Sequence, residues 1–310
     1  MARPDFPLGI DASMRAAFLK CPRSFELGYL RHLRPLQPSV HLVAGGAYAK
    51  GLEVARRAYY EQGVPEKRAI GLGAIALVKA YGDFEPPMRH AKTCENVLSA
   101  FDYYFSVWPM SSDTLTPFRG QDVKRAIEWS FALPLPVAHP QSGDPILYIG
   151  RFDMLGEFGG GLWVVDDKTT GSLGASWSKQ WDMRGQFTGY CWAARQTGLN
   201  VTGALVRGVS ILKTKHDHAQ AIVYKEDHKV EQWYTQILRD VQRMVQLWEE
   251  GYWDYDLSDG CCSFGECSYK LLCESPRPED WLEGNYEVRA WDPLAHEEMP
   301  GRPATPEDLR

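Results

Sequence analysis

At 310 residues the chain is long enough to bury a large core, as one elaborated domain or two. Hydrophobic residues at 44% and charged residues at 24% place it among ordinary globular proteins. A net charge of −6 argues against a nucleic-acid grip spread over the whole surface, so any such role needs a local basic patch. No apolar run reaches the roughly 18 residues of a membrane span. The opening "MARPDFPLGIDASMRAAFLK" also lacks the basic-then-apolar layout of a signal peptide, so a soluble, cytoplasmic protein is expected. Seven cysteines in that setting point to metal or buried thiols rather than disulfides.

The first third of the chain reads as helical. "DASMRAAFLKCPRSFELGYLRHL" offers Asp11 and Ser13 as N-caps, and Pro22 breaks the helix or opens a second one. "GGAYAKGLEVARRAYYEQG" is a stronger helix closed by Gly63, and further helices are expected from Lys67 to Tyr81 and from Arg89 to Trp108. Past Phe118, "AIEWSFALPL", "PILYIGRFDMLGEF" and "GLWVVDDKTT" are β-branched or aromatic and bounded by Pro and Gly, which predicts strands. Gly159 to Gly161 suit a hairpin turn between the last two. A helix follows over Ser178 to Thr197, then the strand "VTGALVRGVSIL", a short strand "QAIVYKE" and a long amphipathic helix from Lys229 to Trp248. The tail from Pro276 reads as irregular. This order predicts an α/β sheet with helices packed on it.

The segment beginning at Gly150 carries charges into a buried sheet. Along an extended strand Asp166 and Lys168 project from one face and Asp167 from the other. Asp153 lies across the hairpin from that pair. Two carboxylates beside a lysine suit a hard divalent cation, Mg²⁺ or Mn²⁺, with the lysine placed to assist a water and a charged phosphorane oxygen. Phosphodiester hydrolysis is the chemistry this arrangement fits. The plainer reading is an exposed strand end with a surface ion pair of little energetic worth.

"GRFD", "VVDDKTT" and "QFTGY", in that order, resemble the PD-(D/E)XK nuclease superfamily in its RecB-like exonuclease branch, over residues 128–212. The resemblance implies a restriction-endonuclease-like mixed sheet flanked by helices, with an N-terminal helical region and a C-terminal cysteine cluster. It assigns catalytic roles to Asp153, Asp166, Lys168, Gln186 and Tyr190, with Asp153, Asp166 and the backbone carbonyl of Asp167 on the metal. The Gln and Tyr fall at i and i+4, on one helix face. Such a protein would cut DNA at ends or in single strands, with helicase, recombination or CRISPR proteins as partners in a bacterial or phage-infected cytoplasm. A catalytically silent DNA-end or partner-binding module is the alternative.

The resemblance extends to the cysteines. Cys21 upstream and Cys261, Cys267 and Cys273 in "CCSFGECSYKLLC" match a branch in which four cysteines hold a [4Fe-4S] cluster. Cys262 competes with Cys261 for one position, and zinc is the rival metal. Cys94 and Cys191 are expected to be buried thiols. The related nucleases carry a metal-binding histidine where this chain has Ala49. Either water fills the place, or Glu53, one turn on, reaches the metal. Glu128 is either an extra ligand or a solvent-facing glutamate. His216 and His218 are expected in a polar, solvated loop. Arg56, Arg57 and the aromatics of "RRAYY" and "FDYYF" either hold DNA or, as is commoner, simply pack helices together. The expected divisions are 1–117 (helical), 118–254 (nuclease core) and 255–310 (cysteine segment and tail), forming one compact unit.

Overall fold

The computed structural model describes residues 3–120, 125–258, 261 and 266–309. Strand β1 (Gly9–Ile10) leads into helix α1 (Ala12–Lys20), capped by the Asp11 carboxylate, which accepts from the Ser13 and Met14 N–H groups. Pro22 opens α2 (Pro22–Phe25) as its first helical residue, where its missing N–H costs no bond. A π-helical turn (Glu26–Leu30) and strand β2 (Leu33–Pro35) follow. Helices α3 (Val40–Tyr60), α4 (Glu66–Tyr81) and α5 (Cys94–Val107) come next. The last starts after Arg89, because Thr93 caps it and Arg89 holds a left-handed φ of 64°.

Strands β3 (Thr116–Pro117), β4 (Ile127–Ala138), β5 (Pro145–Phe158) and β6 (Gly161–Thr170) succeed them. Gly159 and Gly160, at φ 57° and 77°, make the expected tight turn between the last two. Helix α6 spans Gly185–Gln196, shorter than expected because a 3-10 turn at Lys179–Trp181 occupies the preceding stretch. Strand β7 (Val201–Ile211) pairs antiparallel with β8 (His216–Tyr224), and α7 (Asp227–Glu250) and α8 (Lys270–Glu274) follow. The tail adds β9 (Tyr286–Val288), β10 (Trp291–Asp292), β11 (Glu297–Glu298) and β12 (Arg302–Pro303). It is therefore less irregular than its composition suggests.

The chain falls into two compact units. One comprises residues 39–130 and 151–231. Its sheet is mixed: β5 and β6 are antiparallel, β6 and β7 parallel, β7 and β8 antiparallel, with β3 antiparallel to β5. Strand β7 alternates between two covered faces. Ala204 and Val206 of β7 pack with Trp177, Trp181 and Phe187 on the α6 side. Val209 and Ile211 join the core of α3, α4 and α5 on the other. Helices α3 and α4 approach so closely that a Cβ on Gly73 would lie 2.6 Å from the Gly51 carbonyl oxygen, so only glycine fits there.

The other unit comprises residues 1–38, 131–150 and 232–310. In it β1 runs parallel to the start of β5, and β9 pairs antiparallel with both β2 and β12. Leu27, Leu33, Tyr269, Leu272, Leu282 and Tyr286 belong to its apolar centre, with Cys267 and Cys273 packed against them. Among the described residues no helix is long and apolar enough to cross a membrane.

Candidate active site

The β5–β6 pairing runs from Phe158↔Gly161 to Met154↔Val165, which brings Asp153 beside Asp166 where the hairpin opens. The Asp167 N–H donates to Asp153 Oδ2 at 3.0 Å, locking the two strands at this point. Lys168 Nζ lies 2.7 Å from Asp166 Oδ2, as two-residue alternation requires. Asp166 is 2% exposed, and its Oδ2 makes no well-directed hydrogen bond. Burial raises both the Asp153 and Asp166 carboxyls. The neighbouring Asp166 charge pushes Asp153 further up, while Lys168 pulls Asp166 back. Burial alone would lower the Lys168 ammonium, but Asp166 and Asp153 outweigh it and keep it protonated.

Asp167 points to the opposite face. Its Oδ2 lies 2.7 Å from Arg56 Nη1 of α3, a pair whose side chains are 6% and 2% exposed. Arg56 Nη2 also donates to the Tyr104 hydroxyl at 2.6 Å. Next to them Arg207, opposite Asp167 in the β6–β7 register, donates to Asp113 Oδ1 at 2.8 Å. Arg56 is therefore a structural cation and not a phosphate holder. The aromatics of "FDYYF" likewise belong to the core, with Phe101, Tyr104 and Phe105 buried.

Glu128, on the third strand of the site, holds φ at 52°, a left-handed conformation unusual for its type. The backbone just before it is pinned twice: Arg57 Nη2 donates to the Ile127 carbonyl at 3.1 Å, and Leu155 N–H to that of Ala126 at 2.8 Å. Its carboxylate meets Arg151 at 2.7 Å. Burial raises it to about 7 against the pull of Arg151, and Glu53 adds to the rise. Glu128 in turn raises Asp153. Glu53 itself is engaged along α3, 2.7 Å from Lys50 and 3.2 Å from Arg57. Of the two glutamates, the one whose charge registers on Asp153 is Glu128. A backbone in the left-handed region leaves no trace in the composition, so the sequence offers Glu128 as a candidate ligand without showing its conformation.

On α6, Gln186 Nε2 donates to the Tyr190 hydroxyl at 3.3 Å, and the Tyr190 ring packs edge-on against Phe152, the residue before Asp153. Ala49 lies half-buried on α3. His216 and His218 sit on β8, not in a loop, opposite Ile211 and Val209. They bond to the side chains of Ser99 and Tyr103, each at 2.9 Å.

Among the described residues no group of three or more His, Cys, Asp or Glu side chains is arranged to hold a metal ion. The aspartates nonetheless fit one. Two buried carboxylates whose ionised forms oppose each other, with one oxygen lacking a directed hydrogen bond, are the donor set of a hard cation that keeps several waters.

In the other unit, burial pushes the Cys273 thiol up to about 11, and Cys267, Cys21 and Cys261 add to the rise, so the four sulfurs share one neighbourhood. Cys21 Sγ accepts the Asp256 N–H at 3.4 Å, and Cys267 N–H bonds the Cys261 carbonyl at 2.9 Å. Cys262 lies outside the described residues. Cys191 is buried and its thiol is raised to about 12, whereas Cys94 is only half-buried at the start of α5.

Residues 12–274 match the PD-(D/E)XK nuclease superfamily. The chain belongs to that superfamily and is a nuclease by class. Nucleases of this kind generally use Mg²⁺ or Mn²⁺. Among solved structures it is similar to a protein of Eubacterium rectale named "Putative exonuclease". That likeness has 15% identity and a TM-score of 0.49, covering 82% of this chain and 86% of that one. It is also similar to SSO0001, at 12% identity and a TM-score of 0.29, covering 74% and 84%. Likenesses this distant add nothing to what family membership says. No curated protein matches the chain in sequence.

Proposed function

We propose that the protein is a divalent-metal-dependent deoxyribonuclease that works as an exonuclease on DNA ends or single strands. The observation that carries this reading is the juxtaposition of buried Asp153 and Asp166 with a protonated Lys168 at the open end of one hairpin. Asp153, Asp166 and the backbone carbonyl of Asp167 hold Mg²⁺ or Mn²⁺, and Glu128 or Glu53 completes the carboxylate set. The cation supplies Lewis-acid charge at the scissile phosphate when bound. Lys168, charged at neutral pH, donates to a phosphate oxygen as charge develops there and orients the attacking water. It does not act as a base, because its two aspartate neighbours hold its proton. Gln186 and Tyr190, linked to each other beside Phe152, steady the substrate strand on the α6 side.

Cys21, Cys261, Cys267 and Cys273 hold a [4Fe-4S] cluster in the other unit. A single zinc needs four sulfurs at about 2.3 Å from one point. A four-iron cluster takes each thiolate on a separate iron and tolerates a wider set. The shared neighbourhood of the four thiols supports a bound metal there, and the cysteine pattern of the nucleases it resembles favours the cluster over zinc. Helicase or recombination proteins are the expected partners in a bacterial or phage-infected cytoplasm. A silent DNA-end-binding module is the competing reading, and the complete carboxylate–lysine set speaks against it.

The test is to incubate the pure protein with end-labelled single- and double-stranded DNA in Mg²⁺, Mn²⁺ or EDTA. Progressive shortening from an end, lost in EDTA, is expected. DNA that stays intact under every metal condition would leave the silent module standing. Protein purified without oxygen should be brown, and Cys21→Ala should lose the colour. Colourless protein with stoichiometric zinc would replace the cluster with a zinc staple.

A further inference from the structure

One buried cation near β6 has no counter-charge. Lys92, in the turn before α5, is 4% exposed, and its ammonium donates to Thr169 Oγ1 at 3.2 Å. Among the described residues no carboxylate pairs with it, whereas Arg56 and Arg207 each face an aspartate. A charge buried without a partner is unfavourable unless a ligand completes it. The turn is fixed to present this ammonium: His90 Nδ1 accepts the Lys92 N–H at 3.0 Å, and the Tyr81 hydroxyl donates to the Lys92 carbonyl at 2.8 Å.

Two imidazoles stand beside it. His41 and His90 meet edge to face at 5.5 Å, and His41 is near enough to feel both Lys92 and His90. Helix α3 offers bare backbone at this point. A Cβ on Gly45 would stand 3.9 Å from Thr169 Oγ1, and one on Gly46 would meet nothing within 4 Å. An uncompensated ammonium, a hydroxyl, two imidazoles and open space therefore gather around Thr169, one residue past Lys168 and, by alternation, on the opposite face of the strand.

We propose that Lys92, Thr169 and the His41–His90 pair form an anion site for a phosphate of the nucleic-acid strand adjacent to the one being cut. The inference rests on the nuclease reading of β6 and deepens it. The ligand is a phosphate group, either inside the strand or at its end. Lys92 supplies the charge, Thr169 and the imidazoles supply directed hydrogen bonds, and the glycines leave room for the sugar-phosphate backbone.

The test measures binding of fluorescent single-stranded oligonucleotides in EDTA, across a salt series, with a 5′-phosphate, a 3′-phosphate or neither. Lys92→Met should weaken binding by about tenfold. It should also flatten the slope of log affinity against log salt by about 0.7, the share of one phosphate on a single strand. Lys92→Arg should keep most of the affinity. Gly45→Asp, which has room for its side chain, should weaken binding as Lys92→Met does by placing a carboxylate in the site. A loss equal for all three oligonucleotides assigns the site to an internal phosphate, and a loss confined to one end-phosphorylated strand assigns it to that terminus. Wild-type affinity and slope in either Lys92→Met or Gly45→Asp, while the wild type still cuts DNA with Mg²⁺, would overturn the anion site and leave the nuclease reading intact. A wild type that neither binds nor cuts DNA would overturn both.

Discussion

Asp166 and Asp167 are neighbours in sequence with opposite surroundings. Asp166 faces the α6 side, paired with a lysine whose side chain is 34% exposed and next to a second carboxylate that opposes its charge. Asp167 faces α3 and α5, closed in by Arg56, with Tyr104 and the Arg207–Asp113 pair alongside. One face of β6 carries two carboxylates that oppose each other beside one lysine, whereas on the other Asp167 and the neighbouring Asp113 each face an arginine. Over residues 166 to 168 the strand thus serves chemistry on one side and cohesion on the other, and the Lys92–Thr169 contact lies further along the Asp167 side. The lesson is that a buried charge marks function only where its compensation is partial.

The comparison can be broken in several ways. The largest effect is expected from Lys168→Ala, which should cut the rate of metal-dependent cleavage by about 10²- to 10³-fold while costing less stability than Arg56→Met, since the Lys168 side chain is 34% exposed. Cleavage within a fewfold of wild type would remove Lys168 from the chemistry. Arg56→Met should do the reverse, stranding the buried Asp167 charge and lowering unfolding free energy by about 3–5 kcal/mol. A loss under about 1 kcal/mol would mean the α3 face is not closed.

A subtler effect comes from pH. Glu128 at about 7, and Asp153 and Asp166 raised above their usual range, bind protons more tightly folded than unfolded. Their contribution to stability is complete below the ordinary carboxylate range and is lost as pH rises through neutrality. In EDTA the melting temperature should therefore fall between pH 5 and pH 8, and Mg²⁺ should restore it most at the upper end. A gap between Mg²⁺ and EDTA that is flat or shrinks with pH would contradict this. The smallest effect concerns Glu53→Gln, which should weaken Mg²⁺ dependence only a fewfold, because its carboxylate is already shared with Lys50 and Arg57.

Much of the α6 face was legible in the sequence. The glycine turn, the two-residue alternation and the order of Asp153, Asp166 and Lys168 are local patterns, and local patterns survive in a linear reading. The closed face was not legible, because Arg56 finds Asp167 only through tertiary contact, and its position in an Arg-rich helix suggests solvent or phosphate instead. Lys92 was missed for the same reason, since its contact with Thr169 of β6 joins residues far apart in sequence. His216 and His218 looked like loop residues because polar side chains masked the strand, and only pairing with β7 reveals it. The tail looked irregular because its strands are two or three residues long, and the longest, Tyr286–Val288, takes distant Leu33–Pro35 as a partner.

The most direct test of the two-faced strand is to measure cleavage and stability together in Asp166→Asn and Asp167→Asn, near-isosteric changes one residue apart. With end-labelled single-stranded DNA and Mg²⁺, Asp166→Asn should lose cleavage and keep or gain stability, since it removes a carboxylate that opposes its neighbour. Asp167→Asn should lose stability, because it leaves Arg56 buried without its partner, yet keep cleavage wherever it remains folded. The reverse pattern, or equal loss of both properties in both variants, would contradict the division of labour across β6.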